Sequence, residues 1–142
     1  MSYSAFRKTK RSLPIALLRA REEVMVPIRS MLAQSGVTEQ KWRVLRVLEE
    51  IGEVEPTVIA SEACLHLPSL SRILKTMESD GLIVRKEDAS DRRKTSVGIS
   101  AAGRVILARH AEQSSAIFAE LEQRMGKEKL ETILDLLEEL LD

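Results

Sequence analysis

The sequence predicts a mainly α-helical fold carrying one small β-hairpin, within a single domain of 142 residues. Three observations carry this reading. Apolar residues recur at three- and four-residue spacing over most of the chain, in segments bounded by Pro, Gly and hydroxyl residues. One stretch alone, around residues 82–99, changes to alternating apolar and polar positions. The length and the composition, 44% hydrophobic and 31% charged, suit a soluble chain with one real core.

Residues 1–11 lack apolar periodicity and read as a flexible basic arm. Ser12 is placed to cap a first helix with Pro14 as its second helical residue, a position that tolerates proline. This helix should run to about Gln34, kinked at Pro27 because the ring clashes with the carbonyl one turn back, and close at Gly36. Thr38 caps the next helix, "EQKWRVLRVLEEIG", whose Trp42, Leu45 and Leu48 share a face and which ends at Gly52. "EVEP" is a short extended link, and Pro56 opens the short helix "PTVIASEACL". After a break, Pro68 opens "PSLSRILKTMESDG". Leu82–Glu87 and Thr95–Ile99 read as the two strands. Ser100 caps a long helix to Met125, and Gly126 separates it from a final one, "KEKLETILDLLEELLD". The expected total is six helices and one hairpin. A tight helix–turn–helix followed at once by a hairpin is the winged-helix arrangement.

Composition removes several functions. No apolar run approaches the roughly 18 residues needed to cross a bilayer. The patch "LPIALL" behind the basic start is too short for a signal peptide, so a cytoplasmic protein is expected. One cysteine forms no internal disulfide, and His66 and His110 have no second cysteine to complete a zinc site. No cofactor is expected, and no nucleophile motif or phosphate-binding glycine loop points to an enzyme. The 22 basic and 22 acidic residues cancel, but they are segregated. Residues 1–30 carry seven bases against two acids, and residues 120–142 carry eight acids against three bases.

Within Pro68–Asp80, Leu70, Ile73, Leu74 and Met77 form one apolar stripe. Arg72, Lys75, Thr76 and Ser79 fall opposite, with Ser69 and Ser71 flanking the N-terminal end. That division suits a helix that docks by one face and reads the DNA major groove with the other. It equally describes any solvated amphipathic helix. The hairpin favours the DNA reading. Seven residues separate its strands, and Arg92, Arg93 and Lys94 lie at or just past the tip. Arginine at a wing tip suits a narrow minor groove, where negative potential is concentrated. Asp91 could bond the loop backbone or orient an arginine.

"DRRKTSVGISAAG" resembles the wing signature of MarR-type winged-helix regulators, matched here by Asp91, Arg93, Val97, Ile99, Ser100 and Gly103. "RILKTMESDGLIVR" resembles the same family's recognition-helix end and first wing strand. The opening "SLPIALLRAREEVM" with "GVTEQKWRVLRVL" is further similar to the homoprotocatechuate-degradation repressors of that family. The likeness spans nearly the whole chain. It implies a homodimer that reads a pseudo-palindromic operator in double-stranded DNA. Ser69, Ser71, Arg72, Lys75 and Arg93 would be the DNA contacts, with Arg92 and Lys94 on phosphates. Pro68 departs from the family pattern, which often has a capping hydroxyl there. On this resemblance 38–99 is the DNA-binding lobe, and 12–35 and 100–142 supply the dimerisation helices. The leucine-rich stripe Leu130, Ile133, Leu134, Leu137, Leu140 and Leu141 needs cover in any case.

The narrower resemblance implies repression relieved by a small aromatic carboxylate. Such a ligand needs a cation and an apolar slot. Arg21 and Met25 share a face of the first helix, and Trp42 and Arg46 lie one turn apart on the second, so a slot forms if those faces meet. Ordinary ion pairs for both arginines are the competing reading, and core packing is the competing reading for Trp42. Cys64 reads as a buried structural residue on the inner face of its helix, and His110 as a packed helix residue. The alternatives to an aromatic-acid repressor are a regulator with another effector or a redox input, and a winged-helix protein-interaction module.

Overall fold

The computed structural model describes residues 8–91 and 93–142. Its elements run α1 (Leu13–Ala33), α2 (Glu39–Ile51), α3 (Pro56–Ala63), α4 (Leu67–Ser79), β1 (Ile83–Glu87), β2 (Thr95–Ile99), α5 (Ala101–Met125) and α6 (Lys127–Leu141). The order is the predicted one, and the fold is a winged helix-turn-helix with long flanking helices. Residues 1–7 of the predicted arm lie outside the described residues. Its remainder differs from expectation: Thr9–Arg11 form a 3-10 turn, with Arg11 N–H donating to the Lys8 carbonyl at 2.8 Å. No described helix is long and apolar enough to cross a membrane.

Local chemistry sets most boundaries. Thr38 Oγ1 accepts from the Lys41 N–H at 3.2 Å, and Ser100 Oγ accepts from the Gly103 N–H at 3.0 Å. Each satisfies a first-turn donor that has no partner inside its own helix. Ser12 stands at the N-cap of α1 without a side-chain cap bond, and α1 continues through Pro27. Gly52 ends α2 at φ 92°, a conformation a Cβ would disfavour. α4 begins one residue before Pro68. His66 is its N-cap, and Pro68 occupies the first turn, where a missing N–H leaves no bond unmade.

Cys64 corrects the sequence reading. It is exposed, because it caps α3 in the left-handed conformation (φ 55°), outside the inward face formed by Ile59 and Ala63. His110 is buried as expected.

The strands pair antiparallel from Ile83↔Ile99 to Glu87↔Thr95. The "EVEP" link adds a rung: Val54 and Val97 exchange backbone hydrogen bonds of 3.1 and 2.8 Å. The wing is therefore tied to the end of α2. One apolar cluster joins Leu45, Leu48, Ile59, Leu70, Leu74, Met77, Ile83 and Val97 into the lobe core. A second joins Ile28, Met31, Leu32, Val37 and Trp42. Ile106 and Leu107 of α5 pack against both. α6 packs on α5 yet buries no residue fully, and Leu134, Leu137, Leu140 and Leu141 are exposed, as are Leu13, Leu17 and Leu18 of α1.

Gly103 explains the glycine of the wing signature. A Cβ built there would lie 2.4 Å from the Leu82 carbonyl oxygen, 2.7 Å from Ile99 Cγ1 and 3.1 Å from Leu45 Cδ2. In an open helix Gly→Ala gains about 1 kcal/mol. Here overpacking, about 1–3 kcal/mol, opposes that gain, and backbone against backbone has no easy relaxation. Gly103→Ala should lower stability by up to about 2 kcal/mol in urea unfolding. A variant as stable as the parent, or more so, would mean that α5 can back away from the hairpin.

Candidate nucleic-acid interface

α4 is held by α2, α3 and β1, with Leu70, Leu74 and Met77 fully buried and Ile73 half-buried. Its other side presents Ser71, Arg72, Lys75, Thr76 and Ser79, all exposed, while Ser69 is half-buried. The hydroxyls are engaged locally: Ser71 Oγ donates to the Leu67 carbonyl at 3.1 Å and Thr76 Oγ1 to the Arg72 carbonyl at 3.2 Å. Among the described residues, the Arg72 and Lys75 side chains have no hydrogen-bond or ion-pair partner. They are the cations left free for an external anion.

The wing loop is built by two aspartates. Asp88 Oδ1 accepts from the Ser90 N–H at 2.8 Å and the Ser90 hydroxyl at 2.6 Å. Those bonds hold the Asp88 carboxyl below its ordinary range, against a smaller opposing effect of desolvation. A depressed carboxyl adds order above its unfolded-state value and loses it as pH falls through the folded one, so the turn is intact at neutral pH. Asp91 Oδ1 accepts from both the Arg93 N–H at 3.0 Å and Arg93 Nε at 3.3 Å. It thus ties the backbone and aims the arginine together. The Arg93 side chain stays 92% exposed, so it projects from the tip. Lys94 is exposed beside it. Arg92 lies outside the described residues.

Glu53, just after α2, fixes the wing from below. Its carboxylate accepts from Ser96 Oγ at 2.5 Å and from Lys86 Nζ at 3.5 Å. The Ser96 bond, with help from Lys86, lowers its pKa. Arg85 pairs with Glu78 at 3.8 Å and Lys41 with Asp80 at 3.7 Å, which binds the hairpin and α2 to the end of α4. Recognition helix and wing are therefore set at a fixed mutual angle.

The four predicted effector residues do not converge on one cleft. Trp42 and Arg46 do: the Arg46 guanidinium lies over the indole, 5.3 Å from its centroid. They line a cleft of about 360 Å³ between α2 and α5, with Leu107, His110, Ala111 and Ser114 opposite. Glu49 also lines it but pairs with Arg104 at 3.3 Å; Glu50 is exposed. Arg21 does not line this cleft. It pairs with Glu39, at the start of α2, at 2.6 Å, an acid the sequence reading did not consider. Met25 packs against the cluster that contains Trp42. α2 is therefore faced, at Arg46, by α5 rather than by α1.

His110, packed as the sequence reading expected, also lines the cleft, which that reading did not foresee. Its Nε2 and Ser35 Oγ share a 2.7 Å hydrogen bond, and Arg109 donates to the same hydroxyl at 3.3 Å. The spacing Leu107, His110, Ala111, Ser114 on one helical face was the available signal.

A profile of the MarR family matches residues 37–95, the stretch from the start of α2 to the start of β2. The homoprotocatechuate degradative operon repressor of Escherichia coli is 35% identical over 92% of this chain and 88% of its own length. The chain belongs to the MarR family. It is a winged-helix, DNA-binding transcriptional regulator. Among solved MarR-like structures, NadR in complex with 4-hydroxyphenylacetate superposes with a TM-score of 0.81 and 33% identity, covering 99% of this chain and 97% of that one. The repressor CouR, bound to a 23-mer DNA duplex, gives a TM-score of 0.86 and 25% identity, covering 99% and 100%. As a MarR-family protein this chain presents a free Arg72 and Lys75, and an Asp91-held Arg93, on the two elements that contact DNA in winged helices.

Proposed function

We propose that the protein is a homodimeric repressor that leaves a pseudo-palindromic operator when a small hydroxylated aromatic acid enters the α2–α5 cleft. The observation that carries this is Arg46 stacked on Trp42 at the cleft. A guanidinium there meets a carboxylate, the indole and Leu107 take the ring, and His110 with Ser114 offers a polar end for a ring hydroxyl. About 360 Å³ suits a single-ring acid. The names of the relatives support the same class: one represses a homoprotocatechuate operon, and NadR was solved with 4-hydroxyphenylacetate. Action on chromosomal DNA puts the protein in the cytoplasm. Arg21, committed to Glu39, is the weaker partner for the acid; Met25 acts by packing behind Trp42.

On the DNA side, Arg72 reads guanine by paired bonds, while Ser69 and Ser71 bond phosphates or base edges, with Lys75 beside them. Arg93 enters the minor groove and Arg92 and Lys94 meet phosphates. The dimer is built from 12–35 and 100–142, supported by the exposed leucines of α1 and α6.

For the effector, hydroxyphenylacetate-type acids should quench or shift Trp42 fluorescence and weaken operator binding. Arg46→Ala should abolish both responses with DNA affinity kept, and Arg21→Ala should keep most of them. Unchanged signals in the parent protein would end the aromatic-acid reading. For DNA, Arg72→Ala should cost about 1–3 kcal/mol on the best site and relax one base preference. Lys94→Ala should weaken all sequences alike and make the salt slope shallower by about one. Equal losses for both variants on cognate and scrambled duplexes would contradict these roles. Deleting 127–142 should cause aggregation or loss of operator binding; an active, well-folded monomer would remove the dimer proposal.

A further inference from the structure

We infer that Leu67 is a base-reading residue, which recognises a thymine through its C5-methyl group, so that each half-site carries a thymine beside the guanine met by Arg72. The inference rests on the proposed orientation of α4 in the major groove. Leu67 is the first residue of α4 and is 43% exposed, a large aliphatic side chain in the first turn of a helix whose other exposed positions are polar or proline. It opens the exposed row Leu67, Ser71, Lys75, with exposed Pro68 beside it in the chain. The first turn of a recognition helix is the part that meets base edges. A polar residue there reads a donor or acceptor; an aliphatic one can only meet the apolar feature of the major groove, the thymine methyl.

Two further observations narrow the choice. Ser71, one turn on, already donates its hydroxyl proton to the Leu67 carbonyl, so towards a base edge it is left as an acceptor. Nor does a second protein copy explain the exposed leucine. The unburied apolar residues of α1 and α6 form the candidate subunit interface, whereas α4 packs on α2, α3 and β1. Arg72 and Lys75, exposed further along the same helix, make that exposed side of α4 suited to a phosphate-lined groove rather than to an apolar partner.

The test uses the full-length protein and the best site selected from randomised duplexes. Each thymine of that site is replaced in turn by deoxyuridine, which removes one methyl and leaves pairing intact. At one thymine in each half-site the parent protein should lose about three- to five-fold in affinity, the worth of one buried methyl. Leu67→Ala should bind thymine and deoxyuridine sites equally. Leu67→Gln should move the preference at that position towards adenine, to which Gln makes paired bonds. If the parent selects a site but tolerates deoxyuridine at every position, or if Leu67→Ala keeps the discrimination, Leu67 does not read the methyl and the DNA assignment of Arg72 stands. If no site is selected at all, the orientation of α4 falls and this inference falls with it.

Discussion

Ser100 Oγ donates to the Gly81 carbonyl at 2.6 Å and accepts from the Gly103 N–H, so one hydroxyl closes the turn after α4 and starts α5. The Ser100 N–H donates to the Leu82 carbonyl at 3.0 Å, and Gly103 lets α5 press against that same carbonyl. The end of α4, the hairpin and α5 are thus joined at this one junction. The α2–α5 cleft is lined by Leu107 to Ser115, one to three turns further along α5. In the proposed mechanism, a ligand that wedged α5 away from α2 would act on the helix that begins at this junction. How far it shifts them is limited by its differential affinity for the two arrangements, not by how tightly it binds.

The neutral total charge conceals a division of labour among the acids. Asp91, Glu78, Asp80 and Glu53 are each paired with a cation of the lobe, and in each case the pair fixes an element. Exposed pairs of this kind contribute little stability, so their effect is geometric. What remains unpaired on α4 is Arg72 and Lys75. The charge that α4 leaves open to an external anion is thus what the lobe's acids do not pair, and net charge is blind to it.

Elements fixed by nearest neighbours were legible in the sequence. Thr38 and Ser100 cap where predicted, glycines stop helices where predicted, and the period-2 run Thr95–Ile99 is a strand. Ser12 shows the limit of that logic, since it sits at an N-cap without making the bond. Cys64 shows another: a helix-period reading put it inward, but the chain leaves the helical conformation at that residue and turns it out. The cleft was half legible. Trp42 and Arg46 were found because they lie one turn apart, which is local. Their partners on α5 are about 65 residues away, and no spacing rule says whether α1 or α5 faces a given side of α2. Which of the two readings of Arg21 the structure would favour was not legible for the same reason, since its ion pair with Glu39 spans 18 residues and depends on how α1 meets α2.

α6 shows why the reading lobe needs more than its own core. Glu128, Glu131, Asp135, Glu138 and Asp142 follow three- and four-residue steps and share one face, so like charges sit a turn apart and disfavour the helix. Fifteen residues are marginal for an isolated helix even without that repulsion. Its opposite face offers leucines that α5 alone leaves exposed. In the proposed dimer those leucines are covered, and the folding of α6 becomes tied to association and hence to protein concentration. α5 runs from α6 to the Ser100 junction, so in the proposed dimer the geometry of that cover would also set the separation of the two recognition helices. Successive major grooves on one side of a duplex lie about 34–36 Å apart. A subunit interface built on one long, stiff helix can hold that distance; one built on the lobes themselves could not move with the cleft.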